Sequence, residues 1–246
     1  MGTVNKDCPR GVSRRRTRRG FRILDVFLFL VFLTGAGIMA YPTVSNWLNE
    51  RRMTGAMKVY SSSVDELSLA RIEEVLAAAR EYNRRLKENP NPWSEKNRTP
   101  GYRETLDVDG SGIMGYVTIE KIRVRLPFYH GTEEDVLQTA IGHLEGSSLP
   151  IGDAGEHAVL SAHRGLPSAK LFTDLPGLSV GDTFMLTVLD REMLYEVDQV
   201  LTVLPDSEEA FDALKREEGK DYCTLMTCTP YGINTHRLLV RGHRVS

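Results

Sequence analysis

Residues 224–232 of the chain read TLMTCTPYG, and residues 235–242 read THRLLVRG. Each block is a run of apolar and β-branched residues, the pattern of a buried strand, and Pro230 and Gly232 between them favour a turn. This hairpin would bring Cys228 and Arg237 together, although nine positions separate them in the chain. A thiol beside a guanidinium is the arrangement of a thiolate nucleophile with an anion-stabilising partner. The hairpin therefore predicts a reactive cysteine.

Short strands are also predicted before this hairpin. Apolar and β-branched runs recur about every 8–12 residues, a spacing that indicates a β-barrel or a β-sandwich, and one short helix is predicted over Glu133–Gly142. The predicted strands cover residues 116–119, 124–129, 158–161, 183–189, 195–197 and 200–204. Cys223 is an odd number of positions from Cys228, so the two point to opposite faces of one strand and a disulfide is not expected. Cys223 is predicted to lie in the core.

The N-terminal end combines a basic head with an apolar run. Residues 1–22 carry a net charge of +7, and because the whole chain carries −2, the remaining residues carry −9. Residues 23–41 contain one charge, Asp25, and are long enough to span a bilayer as a helix. The preceding arginines predict a cytoplasmic N-terminus. A retained anchor is favoured over a cleaved signal peptide because the small residues 34–37 lie inside the run. A basic head on an acidic body argues against a nucleic-acid partner.

The segment after the apolar run is predicted to be helical up to Asn89. Ser63 and Glu66 match a capping box, and apolar residues then recur at three- and four-residue steps until Pro90. Further along, residues 107–112 read DVDGSG, which resembles the start of a calcium-binding loop. Thr118 stands where such a loop needs a bidentate glutamate, so a turn is predicted there instead.

A base for Cys228 has to come from six histidines. His163 is favoured because it follows a predicted strand and precedes an Arg-Gly pair, a place where side chains face a cleft. His236 is adjacent to the hairpin arginine and so points to the opposite face of its strand. His143 and His157 flank a loop and are candidates for supporting roles. The spacing of histidines and cysteines matches no metal-binding motif, and no metal is expected.

Three blocks of sequence, in order and spacing, resemble the sortase family, and most closely its pilin-polymerising class C. They are the hairpin above, residues 114–116 (MGY), and residues 142–150 (GHLEGSSLP) followed by 160–172 (LSAHRGLPSAKLF). The resemblance implies a mainly β fold, an eight-stranded barrel with short helices, and cysteine transpeptidase activity without a cofactor. It implies that Cys228 is the nucleophile, His163 the acid/base and Arg237 the stabilising donor.

The resemblance also suggests a lid. Class C sortases carry an Asp-Pro-Phe/Trp motif that covers the active site, and Asn91-Pro92-Trp93 aligns with it, with asparagine replacing the acid. Trp93 is expected to stack over Cys228 in a lid held more weakly than usual, and an ordinary linker is the alternative.

Many class C sortases end in a second membrane span, whereas this sequence stops at Ser246, just after its last predicted strand. The N-terminal helix is therefore expected to be the only anchor. The predicted divisions are a basic cytoplasmic tail (1–22), a transmembrane helix (23–41), a helical region (43–89), a lid and linker (90–113) and the catalytic barrel (114–246).

The expected activity follows from these residues and the resemblance. Cys228 would cleave an LPXTG-like sorting signal between threonine and glycine, and the thioacyl product would pass to a lysine amine of a pilin. The enzyme would be a single-pass protein of the cell membrane with its barrel outside. Three alternatives stay open: a sortase that joins surface proteins to a cell-wall amine, a plain cysteine hydrolase, and a non-catalytic tethered binding barrel.

Overall fold

A computed structural model describes residues 18–245 of the chain, with side chains from Arg22. The chain divides into two compact units between Tyr41 and Pro42. Helix α1 (Arg18–Asp65) is continuous and contains Pro42, so the helices expected on either side of this residue are one element. Among the described residues, α1 is the one helix long and apolar enough to cross a membrane, with a mean hydropathy of 2.3 in its most apolar window.

Helix α2 (Leu69–Glu88) is the amphipathic helix expected from the sequence, but its predicted start at Ser63 is wrong. Ser63 lies inside α1, and Ser68 caps α2 by accepting a hydrogen bond from the Arg71 amide at 3.2 Å. The buried face of α2 joins the core of the barrel. Asn83 also fixes α2 to the barrel, because its amide donates to the Leu149 carbonyl at 3.1 Å and accepts from the Leu149 N–H at 2.8 Å.

Eight strands close into a barrel in the order β1-β2-β3-β4-β7-β8-β6-β5, which confirms the predicted fold class. The strands are β1 (Ile113–Ile119), β2 (Val124–His130), β3 (Ile141–His143), β4 (Glu156–Ser161), β5 (Thr183–Val188), β6 (Arg191–Val203), β7 (Asp221–Thr229) and β8 (His236–Arg244). The short helices are α3 (Glu134–Leu137) and α4 (Glu208–Ala213), with 3-10 turns at Glu95–Asn97, Glu120–Ile122 and Leu175–Gly177.

Two secondary-structure predictions are wrong in their bounds. The helix expected over Glu133–Gly142 stops at Leu137, and strand β3 begins at Ile141, because three residues are too few to carry a strand periodicity. The two strands expected between 195 and 204 are one strand, β6, with an irregularity between Val197 and Gln199. That irregularity breaks the two-residue alternation and so imitates a strand boundary in the sequence.

Two pairings set the geometry of the site. Strand β4 runs parallel to β7, and β7 runs antiparallel to β8. The C-terminal ends of β4 and β7 therefore lie side by side, and the start of β8 returns along β7 from the same edge. The barrel interior is packed with fully buried apolar side chains that include Phe128, Phe184 and Leu225.

Candidate active site

Strands β7 and β8 bring Cys228 and Arg237 together as the sequence predicts. The two residues are directly paired across the antiparallel ladder, so their side chains leave the sheet on the same face about 5 Å apart at the Cβ atoms. Cys228 is half-buried, whereas Cys223 is fully buried in the interior of the barrel. Burial raises the pKa of the Cys223 thiol well above its ordinary value, which keeps this cysteine protonated and unreactive.

His163 follows β4 and continues the register of β4 with β7. Ser161 pairs with Met226, the Ala162 amide donates to the Met226 carbonyl at 3.1 Å, and the Thr227 hydroxyl donates to the Ala162 carbonyl at 2.8 Å. Extended by two residues, this register would bring the backbone of His163 towards that of Cys228, since neighbouring strands lie about 4.8 Å apart. The three candidate side chains therefore come from three neighbouring chain segments.

Contacts between loops hold this arrangement in place. Gly165 has a φ of +83°, and a Cβ atom there would lie 2.8 Å from the ring of Tyr231, so only glycine fits. The Arg164 guanidinium donates to the Thr229 hydroxyl at 3.0 Å and lies 5.8 Å from the Tyr231 ring centre. These contacts join the loop that carries His163 to the turn that follows Cys228.

Polar neighbours complete the surroundings of His163 and Arg237. The Nε2 atom of His163 lies 3.8 Å from the carboxylate of Glu134, a residue of α3 that the sequence did not single out. A helix of four residues is too short for a periodic signal, so no pattern could have placed Glu134 there. The guanidinium of Arg237 donates to the carbonyls of Asn234 at 3.4 Å and His236 at 3.3 Å. Both bonds are long, which leaves this side chain available to a substrate.

His143 and His157 are structural. His143 contacts the Tyr102 hydroxyl at 2.8 Å and the Ser148 carbonyl at 2.9 Å, and His157 contacts the Lys215 carbonyl at 2.9 Å and a threonine hydroxyl of β7 at 2.8 Å. Burial lowers the pKa of each imidazole to about 4, so both rings are neutral near pH 7. Their hydrogen bonds tie loops to the barrel, and neither ring is bonded to a candidate catalytic side chain.

A pocket of about 270 Å³ opens beside Arg237. Its walls are mainly apolar and include Met226 of β7 together with Leu144, Trp93 and Phe211. Met226 is two residues before Cys228 and on the same strand face. Arg237 and Asp206 are the two charged residues in this mainly apolar lining. One wall belongs to α4, which the sequence analysis missed, although Ser207 followed by two glutamates is an N-cap signal.

The segment Asn91-Pro92-Trp93 lies against the loop between β3 and β4. A Cβ atom on Gly146 would lie 2.9 Å from the ring of Trp93 and 2.7 Å from the Pro92 carbonyl, so the segment packs directly on this glycine. Trp93 is 36% exposed and lines the same pocket as Arg237. Asn91 forms a turn in which its amide donates to the Asn89 side chain at 3.0 Å and its carbonyl accepts from the Ser94 amide at 3.3 Å.

The acidic segment that resembled a calcium loop forms a turn. The Asp107 carboxylate accepts from the amides of Gly110 at 2.9 Å and Gly112 at 3.2 Å. Between residues 22 and 245, histidine, cysteine and acidic side chains form no group of three or more that could hold a metal. Cys8, which the sequence places before the apolar run, lies outside the described residues.

A closed barrel with a cysteine, a histidine and an arginine at neighbouring strand ends is the arrangement expected of a cysteine-dependent acyl-transfer enzyme. The family model of the sortase domain matches residues 117–245, which is more than half of the chain. The chain therefore belongs to the sortase family, and its activity is that of a sortase, a cysteine transpeptidase.

Solved structures of class C sortases are similar to this chain. Sortase C1 from Streptococcus agalactiae is 48% identical with a TM-score of 0.72, over 78% of this chain and 98% of that chain. A lid mutant of S. agalactiae sortase C1 is 39% identical with a TM-score of 0.68, over 75% and 94%. Clostridium perfringens sortase C with the C-terminal cell wall sorting motif is 39% identical with a TM-score of 0.69, over 78% and 99%.

Proposed function

We propose that this sortase cleaves an LPXTG-like sorting signal between threonine and glycine and joins the new carboxyl end to a lysine amine of a pilin. The observation that carries the proposal is the register that sets Cys228 opposite Arg237, together with the parallel pairing of β4 and β7, which ends two residues before His163 and Cys228. No fourth group or cofactor is needed for acyl transfer by such a set of side chains. The similarity to class C structures supports a pilin as the substrate and acceptor.

The reaction divides into two acyl transfers. The Cys228 thiolate attacks the threonine carbonyl, and Arg237 donates hydrogen bonds to the oxygen that becomes negative. The bond between threonine and glycine breaks as the His163 imidazolium gives its proton to the departing amine. The incoming lysine amine then attacks the thioacyl carbon, its proton passes to His163, and the Cys228 thiolate leaves. The pocket beside Arg237 accepts the apolar residues of the signal and positions the carbonyl for attack.

The proposed location is the cell membrane, with residues 23–41 as the span and the barrel outside. The length and hydropathy of α1 support a span. The arginines before the span support a cytoplasmic N-terminus, because basic residues are retained on that side. A substrate that carries its own membrane anchor would then meet the enzyme at the same surface.

Residues 91–93 are proposed to act as a lid. Trp93 contacts Gly146 and shares a pocket with Arg237, so its ring occupies space that a bound sorting signal would need. Stacking of this ring over Cys228 stays a prediction. Within residues 22–245 no carboxylate lies at ion-pair distance from Arg237, consistent with a lid that lacks the acid of other class C sortases.

The acceptor decides between the proposed function and its alternatives. The full-length enzyme in detergent is incubated with a pilin that carries an LPXTG-type signal and its acceptor lysine, and the products are separated on a denaturing gel. A ladder that resists boiling is expected, and it should disappear for a pilin with Lys→Arg at the acceptor. Cleavage without a ladder, even with pilin in excess, would favour a cell-wall amine or water as the acceptor. The absence of both products would favour a non-catalytic barrel.

A further inference from the structure

A basic cavity of about 710 Å³ lies next to the active-site loop. Its walls carry Lys121, Arg123, Arg164 and Lys170 against a single acid, Asp174. Lys170 pairs with Asp174 at 2.5 Å, and Lys121 pairs with a nearby aspartate at 2.6 Å. Across residues 22–245, no carboxylate lies within ion-pair distance of Arg123 or Arg164. The cavity therefore keeps two positive charges that the described side chains do not neutralise.

The backbone of Arg123 adds a second observation. Arg123 has a φ of +54°, in the left-handed region where residues other than glycine and asparagine lose about 1–2 kcal/mol. This residue ends the 3-10 turn Glu120–Ile122, a position that glycine or asparagine would fill with less strain. An arginine in a strained turn, with its charge in a cavity and without an acidic partner, indicates that the charge itself has a use.

The position of the cavity in the chain suggests what it binds. Arg123 and Lys170 also line a neighbouring cavity of about 470 Å³ that reaches Asn46 of α1. The Asn46 side chain accepts a hydrogen bond from the Lys170 amide at 2.7 Å. Asn46 is five positions after Tyr41, the last residue of the proposed span, and five residues of chain reach at most about 18 Å. The basic cavity is therefore held within short reach of the lipid headgroups.

We propose that this cavity binds the phosphate headgroup of an anionic membrane phospholipid. Arginine and lysine are the side chains that recognise phosphate, and basic residues close to a membrane are attracted to anionic lipid. The inference rests on the proposed membrane anchor. Because Arg164 also donates to Thr229, a headgroup in the cavity contacts the loop that follows His163 and steadies it at the membrane surface.

Lipid titration of the full-length protein tests this proposal. The protein is kept in neutral detergent, dioleoylphosphatidylglycerol or dioleoylphosphatidylcholine is added, and bound lipids are counted by native mass spectrometry. The arginines of the N-terminal tail attract anionic lipid as well, so the comparison between variants carries the result. The double variant Arg123→Asn/Lys170→Gln removes two of the four basic side chains of the cavity, and asparagine suits the left-handed backbone. Arg164 is kept because it contacts the turn that follows Cys228. The matched control is Lys96→Gln/Lys220→Gln, which removes two exposed charges elsewhere.

The cavity variant is expected to bind phosphatidylglycerol at least about fivefold more weakly than wild type, with phosphatidylcholine binding unchanged and the control like wild type. Equal binding by wild type and the cavity variant, or an equal loss in the control, overturns the proposal. Soluble glycerol 1-phosphate that binds as tightly as the lipid also overturns it, since the site would then belong to a soluble anion. An unchanged melting temperature establishes that the variant is folded.

Cleavage of a soluble sorting-signal peptide separates this inference from the proposed function. The cavity variant should cleave the peptide at the wild-type rate, because neither substituted side chain belongs to the active site. Peptide cleavage without a lipid preference would leave the sortase function intact and refute the lipid site. A lipid preference without peptide cleavage by the wild type would refute the function alone.

Discussion

The two ends of the paired strands β4 and β7 have opposite characters. At their N-terminal ends, Glu156 faces Asp221, the Glu156 carboxylate is held by Lys87 of α2 at 2.7 Å, and Tyr195 donates to Asp221 at 3.0 Å. Burial raises the pKa of Asp221 to about 7. At the C-terminal ends Ser161 and Cys228 are half-buried, and Cys228 lies beside a loop and a turn. One end is closed by packing, and the other is left open.

The two ends differ because one has to hold carboxylates away from water and the other has to admit a substrate. Buried carboxylates are stable only when other groups replace water, and Lys87 and Tyr195 supply that replacement at the closed end. The open end must admit a peptide, so side chains cannot cover it. Its geometry depends on contacts between loops, such as Gly165 against Tyr231. Substitutions at the open end should therefore change turnover, whereas those at the closed end should change stability.

The largest expected effect separates the two cysteines of β7. Cys228→Ala removes the proposed nucleophile, so peptide cleavage and transpeptidation should fall to the uncatalysed background. Cys223→Ala leaves the site intact and creates a small cavity in the core, which should lower the free energy of unfolding by about 1 kcal/mol without changing kcat. Steady-state kinetics and urea unfolding of both variants check this. Turnover by Cys228→Ala, or its loss in a folded Cys223→Ala, would exchange the roles assigned to the two residues.

Two arginines of β8 provide the next comparison. Arg237→Ala removes the proposed donor to the developing oxyanion and should lower kcat by about 10²–10³-fold. Arg241 has the same strand parity but pairs with Asp198 through two bonds, at 2.9 and 3.1 Å. Arg241→Ala should therefore reduce stability and leave kcat within severalfold of wild type. Single-turnover rates of the two folded variants measure this difference in kcat. Equal losses of kcat would indicate that Arg237 acts through the fold and not through the substrate.

The sequence predicted the open end better than the features around it. The candidate residues lie on or just after regular strands, where the two-residue alternation predicts the face of the sheet to which each side chain points; they are Cys228, Arg237 and His163. Helix α4 and strand β3 are too short for that signal, and Glu134 comes near His163 because β3, which follows α3, pairs with β4. The closed end went unnoticed because a parallel pairing brings together residues that are far apart in the chain.

A smaller effect is expected at the proposed lid. Trp93→Ala should raise the rate at which a thiol reagent modifies Cys228 by about fivefold, which corresponds to about 1 kcal/mol of lid contact. Asn91→Asp introduces the acid of the lid motif that residues 91–93 resemble and should slow modification, on the expectation that the added carboxylate pairs with Arg237. The modified residue has to be identified by peptide mass spectrometry, since the chain has three cysteines.

Trp47→Ala is the control for the lid, because Trp47 is 48% exposed and lies on α1. Equal modification rates for wild type, Trp93→Ala and the control would rule out a lid that protects the cysteine. A slower rate for Asn91→Asp alone would retain the lid and assign its strength to the acid.

The effect expected at the closed end is on stability and not on turnover, and it depends on pH. The pKa of Asp221 is about 7 in the folded chain against an ordinary 3.8, so between these values the folded state holds a proton that the unfolded state has released. Its contribution to stability is complete below about pH 4 and is lost as the pH rises through 7. The asparagine side chain in Asp221→Asn cannot ionise, and it can still accept a hydrogen bond from the Tyr195 hydroxyl. From pH 4 to pH 8, wild type should therefore lose about 2–4 kcal/mol of unfolding free energy relative to this variant.

Urea unfolding of both proteins at pH 4, 6 and 8 measures this difference. His143 and His157 act in the opposite direction, because burial lowers their pKa values to about 4 and their contribution is lost as the pH falls below 6.5. Both proteins contain these histidines, so their effect cancels in the comparison. A stability difference that stays constant with pH would mean that Asp221 is already ionised at pH 4, and the closed end would then be as accessible to water as the open one.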